Sequence, residues 1–588
     1  MAESIISPGV YTRENDLSFV QPAPVAAGAA FIGPTVKGPI EQPTLVTSYN
    51  DYVRKFGDIF SSGSNSYEFL TSLAIKNYFS QAGQTALVTR VVSSSADYTS
   101  ATSTFMSASG SPFAGIQPFV VKTLGQGVLY NNAAGETSTT GSTYINTDGS
   151  LTSGSAENFR WEVAGVNTAQ GTFSLLVRQG DDNSNNKTIL ETFNNVSLDP
   201  NSDNYIEKII GNQSTSVGTD GTSYYLQTAG NYPNRSNFIR ISAVNLPTLN
   251  YIGNDGVTVN KDSNGNSYSG SLPVGQSGSF YGAGGVIKAG AKFFADIANN
   301  NAQGLQSSNY TKAIGLLENK DDYQFNVISA PGLIYANDDA ALTLDKVISL
   351  AESRGDCIAV VDLVNHGTTV SNTVAESANL NSSYGASYWP WLQMRSATGK
   401  NEWVPAGTVI PGVYAFTDAA SAPWFAPAGL VRGGIPGVIQ AERKLTKNDR
   451  DTLYSAKVNP IASFPGTGIS VFGQKTLQTK ASALDRVNVR RLLIALKKFI
   501  GDQARNLVFE QNTITTRNKF LATVNPYLES VVQRQGLNAY RVVMDETNHT
   551  PDTIDRNQLV GQIFIQPAKT IEFVVLDFTI EPTGATFA

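Results

Sequence analysis

Hydrophobic and polar positions along this chain recur with three different spacings, and each spacing predicts a different kind of structure. AGAAFIG (Ala27–Gly33) is a nearly continuous apolar run closed by Gly-Pro turns, as expected of a strand buried on both faces. SYEFLTSLAIKNYFSQAG switches to helical spacing, with Phe69, Leu73, Ile75, Tyr78 and Phe79 supplying an apolar stripe, and ALVTRVV (Ala86–Val92) returns to a strand. From 93 to 285 the period shortens. FRWEVAGV, TFSLLVRQG and NFIRISAV alternate apolar and polar residues between stretches rich in Ser, Thr, Gly and Asn, which predicts a β-rich insertion of short strands and long loops. Helix and strand then alternate: VIKAGAKFFADIANN as helix, FNVISAPG as strand, ALTLDKVISLAESRG as a helix stopped by Gly355, and CIAVVDLV as strand. That order is a βαβ unit with parallel strands.

In the last third, LDRVNVRRLLIALKKFIGDQARN predicts a strong helix whose apolar face holds Val489, Leu492, Leu493, Leu496, Phe499 and Ile500. Arg491, Lys498 and Arg505 fall on the opposite side, with Arg486, Arg490 and Lys497 flanking. A second helix, LATVNPYLESVVQRQG, precedes the strand AYRVVMDE and two further strands broken at Pro567. The final strand is apolar on both faces: Ile571, Phe573 and Val575 point one way, Val574, Leu576, Phe578 and Ile580 the other. A free edge strand keeps one face polar, so this one is expected to lie buried between other elements, including those of another chain. The opening SPGVYTRENDLSFVQPAPV has little to pack and reads as an extended arm in need of a partner.

The fold class expected is α/β and α+β, multidomain. Its parts are an amino-terminal arm (1–22), a middle α/β domain (23–92 with 286–400), an inserted β-rich domain (93–285), a carboxyl-terminal core domain (401–569) and a carboxyl-terminal arm (570–588). At 588 residues several cores are expected. Charged residues make up only 15%, and a net charge of −6 offers no general attraction to nucleic acid. The start of the chain lacks a signal-peptide pattern, and no apolar run approaches the length of a membrane span.

Catalytic signatures are thin. The single cysteine, Cys357, lies in a predicted buried strand and reads as an inert thiol. The two histidines, His366 and His549, sit in polar turns and read as solvated loop residues. KDSNGNS (Lys261–Ser267) lacks the closing acid of a calcium loop, and no HExxH, CxxC or GxSxG is present. The loop after the first βαβ strand, APGLIYAND, would sit where α/β sheets often bind ligands but lacks GxGxxG. FPGTGISVFGQKTL (Phe464–Leu477) comes nearest to a catalytic pattern. Its GISVFGQKT misses the phosphate-loop pattern GxxxxGK[ST] by the inserted Gln474, and Ile469 to Phe472 reads as strand rather than cradle. A nucleotide-binding enzyme using residues 466–476, or a glycan-binding surface protein using the polar insertion, are the competing function classes.

SPGVYTRE, PWFAPAG (Pro423–Gly429), LYSAKVNPIASFPGTGISVFGQKTL, RVNVRRLLIALKKFI and PAKTIEFVVLDFTI, in that order, resemble the contractile tail sheath proteins of bacteriophages. The resemblance implies a non-enzymatic virion subunit without cofactor or metal, with an α/β sheath core, extended terminal arms and the insertion as a variable outer domain. It implies helical self-assembly around an inner tail tube protein, partners at the baseplate and tail terminator, no direct nucleic acid contact and no membrane insertion. Contraction would drive the tube through the host envelope. Arms around Gly9, Val10 and Tyr11, and around Ile571, Phe573, Val574, Val575, Leu576 and Phe578, would link subunits by strand addition. Arg491, Lys498 and Arg505 are the residues expected to face the tube. The sheath of a bacteriocin or secretion-type injection machine is the alternative within the same class.

Overall fold

The computed structural model describes residues 25–572 except 63–64, 104–112, 114–115, 128–144, 153, 222, 286–296, 300, 467, 546–547 and 549. The chain first lays down β1 (Ala29–Gly33), β2 (Thr44–Val46) and, after helix α1 (Leu70–Ser80), β3 (Ala86–Arg90). It then leaves to build an antiparallel sheet: β4 (Ser100–Ser103), β5 (Phe119–Gln126), β6 (Phe159–Asn167), β7 (Thr172–Gln179), β8 (Ile189–Ser197), β9 (Ile239–Val244) and β10 (Gln276–Tyr281). The strands lie in the order β8-β7-β6-β10-β4-β5-β9. The sheet has its own core around Phe119, Phe159, Trp161, Phe173, Leu175 and Ile241.

The chain then rejoins the first sheet through β11 (Val327–Ile334), helix α2 (Asp338–Arg354), β12 (Ile358–Asp362), helix α3 (Val370–Ala378) and β13 (Gly385–Trp389). After helix α4 (Ile410–Ala420) it adds β14 (Val458–Phe464) and β15 (Gly468–Val471). The resulting order is β15-β14-β13-β12-β11-β1-β3-β2. The six inner strands are parallel, and an antiparallel strand closes each edge. Successive strand residues feed two layers, as the pleat requires. Ala30, Ile32, Ile328, Ala359 and Val361 pack on α2 through Leu344, Val347 and Ile348. Ala29, Phe31, Val327, Ile358 and Val360 pack with α1 and α4 through Leu70, Leu73, Val413 and Tyr414.

A mixed α/β, multidomain architecture is what the sequence predicts. One expectation needs correction: β14 pairs with β13 in register Ser387↔Val458 to Trp389↔Pro460, so hydrogen bonding runs across the boundary drawn at 400. The parallel sheet ends at β14, not at residue 400, because Val458 to Ala462 are buried on both faces, as an inner strand is. The helix expected over 286–300 falls outside the described residues except 297–299, which form a bridge and a turn. Beyond the sheet, α5 (Val487–Arg505) and α6 (Ile514–Gln533) pack Leu492, Leu496, Phe520, Val524 and Leu528 together, and Phe499 stacks on Tyr527 at 3.7 Å. A hairpin of β16 (Leu537–Val543) and β17 (Gln562–Pro567) completes the described chain.

Candidate assembly site at the root of the carboxyl-terminal segment

The loop after β15 folds back on the sheet instead of opening a helix. Phe472 N donates to Pro460 O at 2.8 Å, Lys475 N to the buried Asn459 Oδ1 at 2.6 Å, and Thr476 N to Asp485 O at 3.0 Å. A phosphate cradle needs backbone N–H groups left free, and these three are already committed within the fold. Lys475 Nζ donates to Tyr454 O at 2.8 Å and lies 4.4 Å from the Tyr454 ring centre. Burial first, and the Arg486 charge second, lower its pKa.

The inserted Gln474 has a different task. It is 3% exposed, and its Nε2 donates to Thr570 Oγ1 at 2.6 Å and to Glu572 Oε1 at 3.0 Å. Arg486, at the start of α5, grips the same carboxylate with both prongs, Nε to Oε1 at 2.7 Å and Nη2 to Oε2 at 3.0 Å. Tyr454 Oη donates to Glu572 Oε2 at 3.0 Å. Three elements distant in sequence thus converge on one acidic side chain. Burial pushes the Glu572 pKa up, but hydrogen bonds from Arg486 and Gln474 outweigh it and hold the carboxyl below its ordinary value. Burial and then the neighbouring Glu572 charge raise the Tyr454 pKa, so its phenol stays a donor.

Around this anchor opens a groove of about 750 Å³, lined by Trp424, Phe425, Tyr454, Phe472, Asn488 and Ile571 among others. Ile571 itself is 85% exposed. The neighbouring β16–β17 hairpin pairs with no third strand among the described residues, so both its outer edges carry unused backbone groups. Ala568 N, bonded to Gly536 O at 3.1 Å, ties the hairpin to the anchored segment.

Of the residues singled out from the sequence, Gly9, Val10, Tyr11, Phe573, Val574, Val575, Leu576 and Phe578 lie outside the described residues, as does His549. Arg491 is placed differently from expectation. It is 4% exposed, its Nη2 meets both Asp418 oxygens at 2.5 and 2.7 Å, and its guanidinium lies 4.6 Å from the Tyr414 ring centre. The first turns of α5 are covered on both sides, with α4 supplying Tyr414 and Asp418, so the polar side of the helical wheel is interior there. Lys498 is half-buried, and Arg505 is exposed and pairs with Asp321 at 2.7 Å.

His366 lies in the expected turn but is only partly solvated, its side chain 29% exposed. Its ring centre is 4.9 Å from that of Trp403 and 5.8 Å from that of Trp391, with Nε2 3.7 Å from Glu442 Oε1. Cys357 is fully buried, and burial raises its thiol pKa. Asp262 caps its own turn, accepting from Asn264 N and Asn266 N at 2.9 and 2.8 Å. At the carboxyl edge of β11, Gln303 fills the crevice, donating to Pro331 O and accepting from Leu70 N. Among the described residues, no group of three or more His, Cys, Asp or Glu could hold a metal ion, and no helix is long and apolar enough to cross a membrane. The Glu572 anchor itself was missed. Its only sequence signal is that Gln474 interrupts a pattern that would otherwise be complete.

Residues 304–477 match the family model for the phage tail sheath protein central domain, and residues 479–581 that for the phage tail sheath C-terminal domain. A tail sheath protein of Vibrio phage KVP40 is 35% identical over 305 residues, covering 46% of this chain and 46% of that protein. The tail sheath protein of Enterobacteria phage T4 is 35% identical over 268 residues, covering 42% of this chain and 41% of that one. The chain thus spans a little under half the length of these curated relatives. The crystal structure of a sheath tail protein from Listeria innocua aligns over 89% of this chain and 90% of its own with a TM-score of 0.51 at 10% identity, a likeness of fold. Residues 304–477 and 479–581, a little under half of the chain, are thus similar to the central and C-terminal domains of phage tail sheath proteins.

Proposed function

We propose that the chain is the structural, non-enzymatic subunit of a contractile phage tail sheath. In this reading it is a virion component that polymerises helically around an inner tail tube, meets baseplate and terminator proteins at the ends, and contracts to drive the tube through the host envelope. Head-to-tail contacts that do not close give such a helical array. The observation that carries the reading is the anchored root of the carboxyl-terminal segment. Glu572 is fixed by Arg486, Gln474 and Tyr454 directly beside a hairpin with free edges and an open groove. Residues 573–580, apolar on both faces, would leave this anchor as a strand and add to a neighbouring subunit, with the amino-terminal arm doing the same at the other end of the chain.

Such links supply main-chain hydrogen bonds that persist while subunit bodies rotate. Lys498 and Arg505, the two members of the basic set not buried against α4, are the proposed tube contacts, and salt would screen them. Truncation after Lys569 tests the arm linkage. The expected product is a folded subunit that forms no tubes or stacked rings by electron microscopy, and sheaths of normal length from that variant would refute it.

A further inference from the structure

The groove beside the Glu572 anchor is lined in part by residues 568–572, so the chain enters it just before the described residues end. Its apolar wall is open: Phe472 is 44% exposed and Ile571 85%. Its rim is cationic. Arg432, Lys447 and Arg450 line it together with Lys569, against Asp451 and a Glu572 already held by Arg486. Rings and carbonyls position the two arginines. Arg432 lies 5.1 Å from the Phe425 ring centre and donates Nε to Ala426 O at 3.2 Å, while Arg450 lies 5.3 Å from the Phe464 ring centre and 5.8 Å from that of Phe472. Neither forms an ion pair among the described residues. A groove of this kind fits an extended peptide that is mostly apolar and carries a few carboxylates.

Residues 573–588 have that composition. Phe573 to Leu576, Phe578 and Ile580 are apolar, Asp577 and Glu581 are the acids, and the stretch holds no Lys or Arg. At about 3.3 Å per extended residue, Asp577 stays within about 17 Å of Glu572, close enough to reach the rim. Every copy of the chain carries the same groove and the same stretch, so the contacts alone do not choose between a subunit's own segment and a neighbour's. Tethering does. A segment joined to the lip of its own groove has an effective concentration on the order of millimolar, which a second copy does not match in dilute solution.

We propose that in the unassembled subunit residues 573–581 fold back along the groove of their own chain, with apolar side chains against Phe425 and Phe472 and with Asp577 and Glu581 toward Arg432 and Arg450. As a restraint on assembly this rests on the arm-linkage reading: the strand leaves its own groove before it pairs with a neighbour, an exchange of the domain-swapping kind.

The photo-crosslinking residue benzoylphenylalanine, placed at Phe578 and separately at Val575, tests the docking in the full chain at low micromolar concentration. Illumination is expected to join the label to residues 424–432, 447–454 or 472–474 of the same chain, with a yield unchanged on about tenfold dilution. Arg450→Glu is expected to lower the docked-to-undocked ratio roughly fivefold to tenfold, and Asp577→Arg in that background to restore it. Crosslinks to the β16–β17 hairpin or to another chain, no crosslink at either position, or a yield indifferent to Arg450→Glu would each overturn the proposal. Arg450→Glu subunits should also form tubes at a severalfold lower protein concentration than the parent. An unchanged onset would overturn the restraint, whereas sheaths formed by the truncation after Lys569 would defeat the linkage and leave the docking standing.

Discussion

Replacing Glu572 by Ala should free the root of the carboxyl-terminal segment without unfolding the domain beneath it. The substitution deletes the acceptor of four hydrogen bonds between 2.7 and 3.0 Å, two of them a bidentate arginine fork. A bond to a charged group is worth about 1.5–3 kcal/mol net, and exposed ion pairs under about 1. The Glu572 and Arg486 side chains are 17% and 25% exposed, which places the pair between these limits. Arg486 keeps a second partner, Asp485 at 2.9 Å, and Gln474 keeps Thr570, so neither is orphaned. A loss of about 2–3 kcal/mol follows, a fall in the docked-to-undocked ratio of roughly 30- to 150-fold. Two readouts report that ratio: hydrogen exchange at Ala568 N, and trypsin cleavage after Lys569 when opening is fast relative to cleavage. Both should rise while exchange in β11 to β13 stays constant. Unchanged rates at both positions would refute the anchor.

The same anchor has an acid limit. Because the folded Glu572 pKa is depressed, its contribution is present above the ordinary carboxylate range and is lost as pH falls through the folded value, so Ala568 exchange, corrected for its intrinsic pH dependence, should rise there. Asp362 runs the opposite way. Burial raises its pKa to about 7 against the opposing bond from Gly407 N, so stability is greatest below the ordinary carboxylate range and lost as pH climbs through about 7. Asp362→Asn, which retains an oxygen for Gly407 N, should remove that slope in urea titrations. Arg491→Ala should cost about 2–3 kcal/mol in the same assay, since it leaves the largely buried Asp418 carboxylate without its cation. Lys498→Glu should change stability by less than about 0.5 kcal/mol and instead weaken sheath assembly on purified tubes, most clearly at low salt.

What could be read from the sequence was what one segment decides by itself. β11, α2 and β12 carry their own periodicity, and Gly355, in the left-handed conformation after α2, ends that helix where the pattern stops. The strand within the phosphate-like loop was legible for the same reason, since GISV reads as a strand and forms one. The errors arose where a second layer decides. A helical wheel for α5 cannot show that α4 covers its other side, so Arg491, expected to face the tube, instead faces Asp418. Nothing within LVNHGTT announces Trp391, Trp403 and Glu442, which enclose His366 from separate segments. Glu572 is the one acidic residue between Ile571 and Phe573 at the start of an apolar stretch, and its partners Tyr454, Gln474 and Arg486 come from segments about 86 to 118 residues earlier.

The composition of the anchor bears on how a subunit could stay linked while it moves. An apolar root would have to remain dry, and any rotation that wetted it would cost roughly 25 cal/mol for each Å² exposed. A carboxylate held by a guanidinium, an amide and a phenol can exchange one bond for water at a net cost of about 1 kcal/mol, because water replaces the lost partner. The root can therefore loosen in steps. The residues immediately beyond it, apolar on both faces, are the part of the segment that gains most from burial elsewhere. Under the proposed arm linkage the division of labour is then physical: a polar root that tolerates changes of angle, followed by a strand whose pairing does not. Gln474 breaks the phosphate-loop pattern because its side chain is one of the three that make such a root.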